Sequence, residues 1–391
     1  MRKTFFTLIS IFIVHVSFAQ TTLPKDTFVF TTVKENKITP IKNQASTGTC
    51  WSFSGLAFFE SELLRMGKGN TDLSEMFVVS HSYTDKADKY VRTNGTINFA
   101  QGGSFYDVIY VLKNYGIVPE HEMTGLQYGT DRHNHGELEE IASGLVKTVV
   151  KNPNRTLSSA WKPAFQGIID AYLGKTPSEF TLNGKTYTPL SYAQSLGLNP
   201  DDYVSVTSFT HHPFYSKFAI EIPDNWRWAE SFNLPLDEFI RIFDFAVENG
   251  FTVAWGADVS ERGFTRNGVG LLPETKPENL VGTDQAKWLG TQTPGGKFTI
   301  NGPVKEQQVT QESRQLGFDN YQTTDDHGML IYGIAKDQNG DRYYMVKNSW
   351  GEDNKYKGIW YVSKPFVMEK TINIVVHKDA VPKDLRKKLG I

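Results

Sequence analysis

Gln44-Ala-Ser-Thr-Gly-Thr-Cys50-Trp-Ser-Phe-Ser-Gly55 holds the one cysteine of a 391-residue chain. A glycine stands two residues before that cysteine, and small hydroxyl residues surround it. An apolar pattern starts directly afterwards. Phe53, Leu56, Ala57, Leu63 and Leu64 recur at the spacing of one helix face, with Glu60 interrupting it. Gly67 and Gly69 supply the stop. The stretch therefore predicts a loop-to-helix junction, with Cys50 on the first turn of a long buried helix. Unpaired backbone N–H groups and the positive end of the helix dipole favour thiolate over thiol at such a position. A lone cysteine also has a plainer use, as a small buried hydrophobe.

What sets Cys50 apart is its company. Gln44 stands upstream; Asp326-His327-Gly328 and Asn348-Ser349-Trp350-Gly351 stand far downstream. In the chain order Gln, Cys, His, Asn, these motifs resemble those of the papain-like cysteine peptidases. The resemblance implies an α+β, two-lobed fold: a helical lobe carrying the nucleophile and a β-barrel-like lobe carrying His and Asn. It also implies roles. Cys50 attacks a peptide carbonyl, His327 moves the proton, and Asn348 orients the imidazole. The Gln44 amide and the Cys50 backbone N–H bind the oxyanion. Trp350 shields the His–Asn contact, or is an ordinary core aromatic. Gln101-Gly102-Gly103-Ser104 reads as a plain turn, or, by the same resemblance, as a place where a substrate backbone approaches Gly102 and Gly103.

Working outward, residues 1–19 read as a secretory signal: Arg2 and Lys3, an apolar run from Phe5 to Val16, then Ser17-Phe18-Ala19 as the cleavage site. The expectation is export, to the periplasm or beyond the cell, after cleavage near Ala19, with no stable membrane anchor. Residues 20–126 form the expected helical lobe. Further helices are predicted over 75–90, capped by Asp72 or Ser74, and over 104–115. Residues 127–250 exceed a minimal papain-like chain and read as an inserted, mainly helical subdomain. Helices are predicted there over 137–151, 158–173 and 236–249, and a strand over 203–210. His133, His135, His211 and His212 lie in or near it without a metal-ligand pattern, so they are taken as exposed loop histidines, and no metal or other cofactor is expected.

Within and after the insertion, Tyr203-Val-Ser-Val, Asn233-Leu-Pro-Leu-Asp-Glu-Phe239 and Val253-Ala-Trp-Gly-Ala-Asp-Val259 resemble segments of the bleomycin hydrolase/aminopeptidase C family. That likeness runs over residues 40–378. Residues 251–378 form the expected β-rich lobe. Asn339-Gly340 favours a two-residue hairpin turn, which sets Asn348 opposite Ile331. His327 then shares a face with Asn348 but stands four residues away, so a bulge or strong twist must bring them together.

The last segment, 379–391, is a tail. In the family, the chain's end lies in the cleft and its carboxylate holds the substrate's α-amine, so Ile391 is a candidate substrate-binding residue here. The plainer reading is a frayed terminus. An aminopeptidase is therefore preferred over a papain-like endopeptidase with an open cleft, and both over an inactive binding protein on this fold. Peptides are the expected partners. Basic and acidic residues nearly balance, 41 against 43, which gives no reason to expect nucleic acid. A homo-oligomer is left open.

Overall fold

The computed structural model describes residues 27–153, 156–274 and 300–391. The expected signal sequence and its cleavage site at Ala19 lie outside them. The organising helix is α1, Cys50–Arg65. It is followed by α2 (Glu75–Arg92) and α3 (Phe105–Asn114). Ser74 caps α2, its hydroxyl accepting the Phe77 N–H at 3.0 Å. A capping box of Ser104 and Asp107 starts α3. Glu60, the interruption in the apolar face of α1, is a buried anchor. Its carboxylate accepts Thr39 Oγ1 at 2.5 Å and the Leu73 N–H at 3.0 Å.

The strands in chain order are β1 (Thr31–Glu35), β2 (Phe180–Leu182), β3 (Lys185–Tyr187), β4 (Tyr203–Thr207), β5 (Lys217–Ala219), β6 (Glu230–Asn233), β7 (Val253–Ala257), β8 (Phe264–Thr265), β9 (Val269–Gly270), β10 (His327–Lys336), β11 (Arg342–Lys347), β12 (Ile359–Ser363) and β13 (Thr371–His377). Among the described residues, β2 and β3 pair alone and the other eleven share one sheet. Its path is β5-β6-β4-β13-β7-β10-β11-β12-β9-β8, with β1 on β10.

Alternation along the central strands explains the two cores. Ala254, Leu330 and Val375 face α1, α2 and α3. Their neighbours Trp255, Met329, Ile331, Ile374 and Val376 face the other side, where α7 (Leu236–Glu248) packs. The stretch 127–250 divides between these cores. Its helices α4 (Gly136–Val150), α5 (Trp161–Leu173) and α6 (Pro189–Leu196) extend the first. Its strands β4, β5 and β6 extend the sheet itself, and α7 builds the second core. The stretch is mixed in structure, with its strands fused into the main sheet.

The β10–β11 hairpin departs from expectation at its turn. Lys336 pairs with Arg342, and Asp337 N–H donates to Asp341 O, so the loop is three residues, Gln338 to Gly340, with Gly340 at φ +89°. A register shift between Ile331 and Gly333 then brings Lys347 opposite Leu330. Asn348, the next residue, is thereby drawn toward Met329, two residues nearer His327 than a two-residue turn would set it.

The first turn of α1 lies hard against the start of β10. A Cβ on Gly328 would meet Ser54 Oγ at 2.7 Å, and a Cβ on Gly55, the next residue of α1, would meet Val108 Cγ2 at 2.7 Å. Gly328→Ala is expected to cost about 1–3 kcal/mol by overpacking, read as a lower urea midpoint. Adding Ser54→Ala removes the obstructing hydroxyl and should return most of that loss. A double variant no more stable than Gly328→Ala alone would show that this contact does not set the spacing.

Candidate active site

Cys50 is the first residue of α1, and its loop is pinned on two sides. Gly48 N–H donates to Gln101 Oε1 at 2.7 Å and Trp51 Nε1 to Gln101 O at 3.0 Å. On the other side, residues 42–44 run antiparallel to 349–351. Gln44 N–H donates to Ser349 O at 2.8 Å and Gly351 N–H to Lys42 O at 3.1 Å. This short ladder joins the loop that carries the cysteine to the segment that carries the asparagine.

His327 opens β10, and its Nε2 lies 2.8 Å from Asn348 Oδ1. Oδ1 also accepts the Ser349 N–H at 2.7 Å, which fixes that atom as the amide oxygen. Nε2 therefore carries the proton it donates, and Nδ1 is left as the basic nitrogen. The Trp350 indole stacks on the imidazole, with centroids 4.6 Å apart, and so covers the His–Asn contact. Gln44 is held by Ser349 Oγ, which donates to its Oε1 at 2.5 Å, and by its own Nε2, which donates to Thr47 O at 2.8 Å. A primary amide has two N–H groups, so one remains to donate.

Cys50 and His327 line the same cleft, a cavity of about 50 Å³. Trp51, Phe105 and Tyr106 form its helical wall. Ile220, Ile222 and Asp224, all from the 127–250 stretch, form the facing wall. Burial pushes the Cys50 thiol up to about 12, against the pull of the Gly328 and Trp51 backbone N–H groups. Burial likewise pushes the His327 imidazole down to about 4. The helix start therefore does not by itself favour thiolate at Cys50: desolvation of a lone charge outweighs it. Passing the proton from sulfur to Nδ1 makes two opposite charges at once, each relieving the other's burial.

The remaining sequence expectations fall out unevenly. Gly103 lines the cleft. Gly102 is roofed: a Cβ there would lie 2.1 Å from Asp224 Oδ2. Ile391 is not brought to the cleft. The tail forms a helix, Lys383–Leu389, whose Leu385 and Leu389 bury against α7, on the sheet face opposite α1. Arg241 holds Asp384 through two bonds of 3.0 and 3.1 Å, and Ile391 packs beside them. A fully buried leucine is worth about 1.5–3 kcal/mol, so docking is favoured over threading an extended tail into the cleft.

Of the four histidines, His211 is exposed in a turn as expected, His133 and His212 are half-buried, and His135 departs from the expectation in being buried. His211 and His212 both reach Glu221, at 3.1 and 2.8 Å. Gln315 Oε1 accepts the Thr210 N–H, so its Nε2 donates to His211 Nδ1. His211 then carries its proton on Nε2, toward Glu221, and the trio is a hydrogen-bonded set.

Sequence reasoning did not find Asp224 or Ser349. Asp224 sits in no motif; its insertion lining the cleft is visible in the fold alone. Ser349 follows Asn348 directly, and that adjacency was its one signal.

The comparisons with known proteins agree with this geometry. Residues 26–163 match the model of the papain family of cysteine proteases, and residues 306–390 that of the Peptidase C1-like family. Aminopeptidase G of Lactobacillus delbrueckii subsp. lactis is 22% identical, over 90% of this chain and 83% of that protein. Aminopeptidase C of Streptococcus thermophilus is 24% identical, over 87% and 80%. Bleomycin hydrolase of Gallus gallus is 22% identical, over 88% and 82%. The crystal structure of PepW from Lactobacillus rhamnosis superposes with a TM-score of 0.69 at 18% identity, covering 92% of this chain and 84% of that one. Fold and site together define a papain-like cysteine peptidase. Within that class, its likeness runs to aminopeptidases C and G and to bleomycin hydrolase, over most of the chain.

The two pKa shifts give a sharp expectation. Without His327 nothing relieves the buried thiolate, so the thiol stays protonated until pH nears about 12. Iodoacetamide should then alkylate Cys50 in His327→Ala appreciably only at strongly alkaline pH, whereas the parent protein reacts at pH 7. Equal rates at pH 7 would place the base elsewhere.

Proposed function

We propose that this peptidase is an aminopeptidase, releasing N-terminal residues from peptides by way of a thioester. The observation that supports it best is the Nε2–Asn348 contact of 2.8 Å, which leaves Nδ1 of His327 basic in the cleft shared with Cys50. In this reading the Cys50 sulfur attacks the peptide carbonyl carbon as its proton passes to Nδ1. The carbonyl π bond opens to an oxyanion, which receives the free N–H of Gln44 and the Cys50 backbone N–H. Loss of one such donor costs about 2.7–4 kcal/mol of barrier. Collapse breaks the C–N bond, and His327 gives its proton to the leaving amine. Water, deprotonated by His327, then hydrolyses the thioester and restores the thiol.

Preference for a free amino terminus is carried over from the names of the aminopeptidase relatives. An open-cleft endopeptidase would use the same chemistry, but the carboxylate that roofs Gly102 argues against an open cleft. We also propose export, on the charged, apolar and small-residue pattern of residues 1–19; a mature N-terminus at Gln20 would support it.

Cys50→Ala and Cys50→Ser should both abolish hydrolysis while keeping the fold. His327→Ala should lose far more activity than Asn348→Ala, since one removes the base and the other its orientation. The parent protein should cleave peptides with free amines and spare their acetylated counterparts. Equal cleavage of both would replace this reading with the endopeptidase.

A further inference from the structure

The cleft is acidic out of proportion to a near-neutral chain. Asp224, Asp325 and Asp326 line it, and among the described residues no lysine or arginine does. The three carboxylates are not equivalent. Asp326 is spent on structure, accepting the Val259 N–H at 2.8 Å and the Ser260 N–H at 3.0 Å. Asp224 takes one hydrogen bond from the Asn98 side chain and feels Lys86 through space. Lys86 itself is buried and committed to the backbone oxygens of Ala100 and Gly102. Asp325 is half-buried, and no described residue gives it a hydrogen bond or a cation. What it meets is Asp224, Asp326 and Asp258, all of its own sign. A desolvated carboxyl in such company is costly to ionise unless something positive joins it.

A metal ion is a poor candidate for that role. Among the described residues the one group whose ligand atoms converge tightly enough is His211, His212 and Glu221, which includes none of these aspartates. A peptide with a free terminus, by contrast, always brings one compact cation, its α-ammonium, with three donors. Position also favours it. Asp224 covers Gly102, so the wall from the 127–250 stretch presents a carboxylate next to Gly103 in the cleft that holds Cys50. The tail that would otherwise supply such a group is docked on α7.

We propose that Asp224 and Asp325 together form the receptor for the α-ammonium of the substrate. This inference rests on the aminopeptidase reading and names the groups responsible for its selectivity. Asp224 lies over Gly102, and Asp325, beside His327, offers a carboxyl whose ionisation burial and its acidic neighbours disfavour until an ammonium joins it. Both carboxylates also act on the Cys50 thiol through space, raising it. An ammonium held between them cancels that field, so a correctly bound substrate eases formation of its own nucleophile.

The test uses alanyl and lysyl aminomethylcoumarin amides, the corresponding N-acetyl amides and an N-acetyl-Lys-Ala amide. It compares the parent protein with Asp224→Asn, Asp325→Asn and a tail variant lacking residues 388–391. Stoichiometric alkylation of Cys50 confirms that each protein retains its site. Each asparagine variant should lower the free-amine to acetylated ratio of kcat/KM by at least tenfold, chiefly through KM, and the tail variant should keep the parent ratio. If the parent shows no preference for free amines, the aminopeptidase reading itself fails. If the parent prefers free amines and both asparagine variants keep that preference, this inference alone fails. A parent preference for the N-acetyl-Lys-Ala amide would mean that the carboxylates read a lysine side chain, which also overturns it. Should one asparagine variant not fold, the other decides.

Discussion

The site depends on how closely α1 approaches the start of β10. Gly328 has no side chain, and Ser54 Oγ occupies the space that one would need. About 100° round α1, Gly55 does the same for Val108 of α3. The helix is thereby wedged between a strand and a second helix, with no slack on either flank. A nucleophile at the helix start and a base at the strand start face one cleft because these two glycines admit the approach. Chain segments far apart in sequence thus define one reaction centre through packing, before any polar contact is counted.

Polar contacts then fix what packing leaves free. Lys42 lies 2.6 Å from both Asp72 and Glu75 and 3.6 Å from Glu60, beneath the loop that leads to Cys50. Lys347, the residue before Asn348, donates to Thr39 O at 3.0 Å and Thr39 Oγ1 at 2.8 Å, and Thr39 in turn holds Glu60. One connected network therefore ties the nucleophile loop, the middle of α1 and the end of β11. Buried pairs of this kind add little net stability, but losing one partner leaves a charge stranded at a cost of about 3–5 kcal/mol. Their effect here is to specify position: Gln44 and Asn348 are each a short step from an anchored residue.

Local signals made much of this legible in the sequence. The start of α1 was readable from glycine, hydroxyl residues and apolar period, because those are determined within a few residues. His327 and Asn348 were readable as motif members, and the need for a bulge between them followed from strand geometry. The register itself was misjudged. Asn339-Gly340 suggested a two-residue turn, but Asp337 and Asp341 close a three-residue one, with the Asp337 carboxylate accepting the Asn339 and Asp341 N–H groups. The tail was misplaced for a different reason. Its reach was computable, but the apolar surface of α7 that captures Leu385 and Leu389 belongs to tertiary structure. Asp224 was invisible for the same reason: a carboxylate in an insertion carries no pattern until the insertion is folded against the cleft.

The fusion of β4, β5 and β6 into the main sheet has a consequence for how the molecule breathes. Val206 pairs with Ile374 on β13, and β13 pairs with β7, which pairs with the histidine strand. The wall that faces Cys50 is the loop between β5 and β6, two strands carried by β4 on the same hydrogen-bonded ladder as His327. Swinging β4 away from β13 would require breaking sheet pairs in the centre of the protein, an event of near-global unfolding energy. Amide protons of β4 and β10 should accordingly exchange as members of one slow cooperative unit. The strands beneath the cleft are thus a fixed frame, and any motion that admits substrate belongs to the loops above it.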